Sequence, residues 1–325
     1  MVMGSSILKV QNLVTSFHTE NGRIRAIEDV SFGLKEKQIL GIVGESGCGK
    51  SVTALSIMRL LPKPSGIIES GHILFKGTDL VRLPADKMHE VRGNHISMIF
   101  QEPMTALNPV HRIGKQLGEI FQLHFPDMPK NKIRDESIEL LQKVGIPDPE
   151  SRMNEYPHQI SGGMRQRVLI AIALAAKPDI LIADEPTTAL DVTIQSQILD
   201  LMMQLQKETG MAIIFITHAL GVIAEICNDV VVMYAGKVAE ASPVERLFEE
   251  PKHPYTKGLL SSIPRLENPG KQKLSVIKGM VPSLHELPNG CRFENRCPDA
   301  MEICTAKPPP LKQVADDHFV SCYLY

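Results

Sequence analysis

A chain of 325 residues exceeds the usual span of one hydrophobic core, so one large domain with an appendage, or two unequal domains, is expected. Hydrophobic residues at 43% and charged residues at 22% are ordinary for a globular protein, and a formal net charge of -2 excludes the basic footprint of a non-specific nucleic-acid binder. The opening MVMGSSILKVQNLVTSF lacks a basic segment leading into an apolar run, and no stretch reaches the ~18 apolar residues of a membrane span, so a cytoplasmic setting is expected. That setting disfavours disulfides and turns clustered cysteines toward metal binding or catalysis.

The first informative segment is the apolar run from Gln38 to Val43, a strand, followed by GESGCGKSVTALSIMRLL. Gly44, Gly49, Lys50 and Ser51 satisfy G-x-x-x-x-G-K-[ST], and Leu55, Met58 and Leu61 are spaced for a helix behind the loop. Glycines let the backbone curl so that its amides face phosphate oxygens, while the helix turns its positive dipole end toward the same anion. Ser46, Gly47, Cys48, Gly49 and Val52 belong to the same cradle, with Cys48 a small spacer contributing its amide. Lys50 would neutralise the β- and γ-phosphates, and Ser51 offers Mg²⁺ a hydroxyl ligand.

Next in the chain comes an insert from about Pro103 to Pro157. Its apolar positions Ile113, Leu117, Ile120 and Leu123, then Ile138, Leu141 and Val144, predict helices. Further on, DILIADEP reads as a strand from Ile180 to Ala183 that ends in two acids. Carboxylates at that end of a buried parallel strand stand where open α/β sheets bind ligands. Asp184 would hold Mg²⁺ through water, and Glu185 would face the attacking water. The strand MAIIFITH places His218 at its own end, where it could contact the γ-phosphate or orient the water.

With ISGGMRQRVLIAIALAAKPDILIADEPTTALD between those strands, roughly the first 240 residues resemble an ABC transporter ATPase subunit. Ser161, Gly162 and Gly163 match its signature loop with Met164 in the variable last position, Gln101 its Q-loop, TALD to Asp191 its D-loop, and His218 its switch histidine. Taken alone, Ser-Gly-Gly before a helix is first of all a cap, and a glutamine after a strand an ordinary polar edge residue. The resemblance implies an α/β fold: a P-loop ABC ATPase domain with a RecA-like parallel core, an antiparallel β subdomain and a helical subdomain at about 103–175, occupying 1–250. It also implies a head-to-tail pair of ATPase subunits, identical or paralogous. Each ATP would lie between one phosphate loop and, in trans, Ser161, Gly162, Gly163 and Asp191 of the other. Gln101 would join Ser51 and Asp184 as a Mg²⁺ ligand and, with Glu185 and His218, serve catalysis. Phe17 is the candidate for the family's adenine-stacking aromatic, although strand packing accounts for it nearly as well.

His253, Pro254 and Tyr255, together with EYPHQISGGMRQR, resemble the oligopeptide, dipeptide and nickel branch of that family. The branch implies an ATPase that powers peptide import, bound peripherally at the cytoplasmic face to two permease subunits and served indirectly by an extracellular peptide-binding protein, with no nucleic acid. Nickel import, or a soluble ABC ATPase of DNA repair or translation, is the alternative.

The tail, 251–325, reads as a small cysteine-bearing module. Cys291, Cys297, Cys304 and Cys322 are spaced C-x5-C-x6-C-x17-C amid prolines, too little chain for a core of its own. Four thiolates can complete a zinc site, cap a 4Fe-4S cluster, or pair as disulfides. Resemblance to the peptide-transporter ATPase tail implies the cluster, with a structural purpose apart from catalysis. His318 is a substitute ligand or a solvated histidine, and Cys227 reads as a small buried hydrophobe in a helix.

Overall fold

The computed structural model describes residues 6–20, 22–101, 106–188, 190–263 and 276–325. Pro103, the expected start of the helical insert, and Ala189 of TALD lie outside the described residues. The chain divides into two compact units, Met1–Arg82 with Phe215–Tyr325, and Leu83–Ile214.

The first unit opens on two long antiparallel strands, β1 (Ser6–Thr19) and β2 (Gly22–Lys35). Val30, Phe32 and Leu34 alternate with less buried Ser31, Gly33 and Lys35, the period of two that a one-faced strand requires. β3 (Ile39–Val43) is buried at every position, as befits a strand covered on both faces, and feeds α1 (Lys50–Ile57). α1 stops at Met58 and buries Ala54 and Ile57, whereas Leu55 and Leu61 are only half-buried, so the expected helix is shorter and differently phased. β4 (Gly66–Phe75) pairs antiparallel with β1, and β5 (Thr78–Asp79) extends that sheet.

The second unit runs α2 (Ala85–Val91), β6 (Ile96–Ile99), α3 (Ile113–His124), α4 (Lys130–Lys143), α5 (Pro149–Arg152), α6 (Gly162–Leu174), β7 (Ile180–Asp184) and α7 (Val192–Thr209). β6 and β7 are parallel, Ile96 facing Ile180 and Ile99 facing Ala183. α3 and α4 fall where periodicity places them, but Leu123 is 71% exposed and Phe121 is buried in its stead. Ile113, Leu117 and Phe121 recur every fourth residue and form the inward stripe, and Phe121 packs with Ile133 and Ala175.

β8 (Ala212–Thr217) straddles the division. The remainder of the first unit is α8 (Leu220–Ile226), β9 (Asp229–Tyr234), β10 (Lys237–Pro243), α9 (Val244–Glu249), α10 (Pro254–Ser261), α11 (Glu302–Ala306), β11 (Lys312–Ala315) and β12 (His318–Val320). β3 pairs parallel with β9, and β9, β10, β12 and β11 follow antiparallel, giving a mixed sheet. The tail therefore adds its last hairpin to the sheet that carries β3. No helix among the described residues is long and apolar enough to cross a membrane.

Candidate functional site

The turn from β3 into α1 is built by two close approaches. Gly44 (φ 153°) and Gly49 (φ 99°) both adopt positive φ. A Cβ on Gly44 would stand 2.2 Å from the Met233 carbonyl oxygen, and one on Gly49 would stand 2.5 Å from the Ile27 methyl Cγ2. The curl draws the Lys50 ammonium inward, where it donates to the carbonyl oxygens of Gly44 (2.8 Å) and Glu45 (3.2 Å). Lys50 is 5% exposed, a buried cation aimed at the loop's own backbone. Ser46 and Gly47 are exposed at the mouth, Ser51 and Val52 half-buried in the first turn of α1. Cys48 is buried with its sulfur 3.9 Å from the Lys50 Nζ, and burial raises its thiol pKa, which leaves it the protonated spacer expected of it.

Phe17 is half-buried on β1, facing Ile24 of β2 and Gly66 of β4, and a Cβ on Gly66 would press its ring at 3.0 Å. His218 follows the end of β8 and is exposed.

In the second unit Asp184 closes β7 at 2% exposure. Glu185 takes φ 48°, outside the strand's conformation, and its Oε2 accepts from Gln101 Nε2 (3.2 Å) and Thr188 Oγ1 (3.0 Å). The fold thus joins Gln101 to Glu185 across 84 residues and adds Thr188, which nothing in the motif pattern marked. Ser161 caps α6, its hydroxyl accepting from Met164 N at 3.3 Å, and leaves Gly162 exposed beside it. Asp191 caps α7, accepting from Ile194 N at 3.0 Å. Both are helix-start residues with open neighbours, the arrangement that presents amides to an anion.

The four tail cysteines line one small cavity, about 10 Å³. None is in a disulfide. Burial pushes the Cys291 thiol up to about 11 and raises Cys297 and Cys322, so these thiols are neutral unless a cation displaces their protons. Among the described residues no group of three or more His, Cys, Asp or Glu is placed to hold a metal ion. The donors fit a thiolate-bound group in kind and number, and all four line one cavity, but the described residues do not hold them in a ready metal-binding arrangement.

The tail departs from the expected arrangement at two places. His318 is neither solvated nor a spare ligand: wholly buried, it bonds through Nε2 to Glu240 Oε1 at 2.7 Å. Nor does the tail lie apart from the phosphate loop. Phe293 packs edge-on to Tyr234 with centroids 5.1 Å apart, and against Tyr255 at 5.4 Å, while Tyr255 Oη accepts from the Glu45 amide at 2.9 Å. Arg296 pairs with the Glu45 carboxylate. Cys227 ends α8 half-buried, its thiol pushed up to about 12 by burial, as an inert hydrophobe should be.

The ABC transporter family pattern matches residues 27–188, and the pattern for the oligopeptide/dipeptide transporter C-terminal region matches 239–304. The dipeptide transport ATP-binding protein DppD of Bacillus subtilis is 52% identical over 98% of this chain and 94% of its own. The oligopeptide transport ATP-binding protein OppD of the same organism is 50% identical over 100% and 90%. Among solved structures, the dimeric ABC transporter cassette MJ0796 superposes with TM-score 0.65 at 26% identity, covering 73% of this chain and 98% of that one; it was also solved in a post-hydrolysis state with ADP and Pi.

Proposed function

The chain belongs to the ABC transporter ATP-binding subunits, in the oligopeptide and dipeptide branch, and on that premise we propose that it hydrolyses MgATP to power import of di- and oligopeptides. The observation that carries this is the curled Gly44–Ser51 loop with the Lys50 ammonium inside it. Its amides and α1 would hold the phosphates, and Lys50 would transfer its bonds from loop carbonyls to the β- and γ-oxygens. Phe17 would stack on adenine. Mg²⁺, once bound by Ser51, Gln101 and Asp184, would neutralise charge on the β- and γ-phosphates.

Glu185, held by Gln101 and Thr188, would take the proton of the water that attacks the γ-phosphate, giving ADP and phosphate, while His218 contacts the transferred group. Ser161, Gly162, Gly163 and Asp191 of a second ATPase subunit, identical or paralogous, would close over the nucleotide. Loss of the γ-phosphate would then open the pair. The dimeric state of the MJ0796 cassette supports that arrangement.

Residues 1–250 would form the nucleotide-binding domain, with the helical subdomain at about 103–175, and 251–325 the tail, a division supported by the C-terminal family match. Two permeases would seat the chain at the cytoplasmic face of the membrane. The Cys291, Cys297, Cys304 and Cys322 thiolates would hold a 4Fe-4S cluster that staples the tail. Iron and sulfide analysis of anaerobically purified protein tests this: about four of each supports the cluster, while zinc alone or no metal refutes it. For the ATPase, Glu185→Gln should keep MgATP binding and lose at least ~100-fold in turnover. Turnover at the wild-type rate would refute the role given to Glu185.

A further inference from the structure

Two tail side chains, Arg296 and Tyr255, reach the phosphate loop, and Arg292 braces the strand turn beside it. The Arg296 guanidinium forks onto the Glu45 carboxylate, Nη1 to Oε2 at 2.6 Å and Nη2 to Oε1 at 3.0 Å. Its side chain is 3% exposed, and Nε donates to the Lys278 carbonyl oxygen while Nη1 also reaches Tyr234 Oη at 3.3 Å. Tyr255 holds the Glu45 amide. From the other side, Arg292 donates to the Ala235 carbonyl oxygen and pairs with Glu28, and Gly236 N donates to the Cys48 carbonyl oxygen at 2.9 Å. Arg292 and Arg296 flank Phe293 inside the interval between Cys291 and Cys297.

Glu45 is an anomaly in a loop meant for a polyanion. A bare carboxylate one residue after Gly44 would repel phosphate and could pull the backbone out of its curl. The arginine fork answers both problems, because a bidentate pair neutralises the charge and fixes its direction. We propose that Arg296 is a positioning residue for ATP binding: through Glu45 it holds the phosphate loop, so the segment between the first two tail cysteines sets nucleotide affinity in its own subunit. This rests on Gly44–Ser51 being the ATP site.

The test is equilibrium binding of MgATP to the purified full-length chain. Arg296→Met should weaken binding about tenfold, the scale of a charge-assisted pair, and more at low salt, because the exposed carboxylate then repels the nucleotide. Arg296→Lys, which keeps charge but not the fork, should fall between, and serves if the methionine variant fails to fold. Glu45→Gln should cost affinity in the wild-type background and recover part of it in Arg296→Met. Wild-type affinity in both Arg296 variants, or an equal Glu45→Gln effect in both backgrounds, would overturn the proposal. Failure of the wild-type chain to bind MgATP would instead overturn the ATP site itself.

Discussion

His253 packs a pH sensitivity into one side chain. It is buried before α10, where its Nδ1 accepts from Tyr255 N at 3.0 Å, and burial lowers its pKa from 6.5 to about 4. An unfolded chain protonates this histidine near 6.5, the folded one only near 4, so between those values the unfolded state binds more protons. Stability contributed by the neutral ring is complete above about pH 6.5 and declines as pH falls toward 4, by up to about 3 kcal/mol. In His253→Asn, which keeps an oxygen to accept the same amide, urea unfolding at pH 7.5 and 4.5 should differ less than in wild type. An unchanged pH dependence would remove His253 as its source. The histidine was visible in the sequence as part of the His-Pro-Tyr mark. Its burial was not, because exposure depends on what packs above it, here Phe293 at 5.8 Å.

Helix starts carry two duties at once in the second unit. Asp191 and Ser161 are expected to face a nucleotide in trans, and each also caps its own helix. Asp191→Ala should therefore lower stability of the isolated chain by about 1 kcal/mol, whereas Asp191→Asn should largely restore it. Denaturant unfolding without nucleotide measures this local contribution; equal stability of the alanine variant would show the cap to be inert. Elements of this kind were legible because their signals are local: a capping residue followed by an apolar helical stripe, or an all-apolar run such as Ile39–Val43. Phase was less legible. Leu123 and Phe121 are both apolar on α3, and it is the facing Ile133 that selects Phe121 as the buried one.

Within the first unit the tail is bound to the preceding strands by long-range contacts. β12 pairs with β10 at Glu240↔Val320 and Ala241↔Phe319, and the wholly buried Glu240 carboxylate accepts from Lys252 N (2.8 Å), His253 N (2.9 Å) and the His318 ring. Removing that carboxylate orphans three donors, two of them buried, so Glu240→Ala should cost on the order of 3 kcal/mol and expose residues beyond 250 to limited proteolysis. A variant that resists protease as wild type does would show β12 to be held by its backbone ladder alone.

Taken by itself, the sequence determined the phosphate loop, the acidic strand end, the signature turn and the cysteine spacing. Each is a contiguous motif whose residue types dictate backbone curl and charge within one turn or strand. Only the tertiary structure decided that Arg296 meets Glu45 across 251 residues, that His318 belongs to Glu240 rather than to the cysteines, and that Thr188 and Gln101 share Glu185. Such pairs leave no periodic or spacing signal. The Glu45 and Glu240 pairs arise when burial removes water from a charged group and the nearest complementary group in space becomes its partner, while the exposed Gln101–Glu185 bond arises because β6 and β7 run side by side.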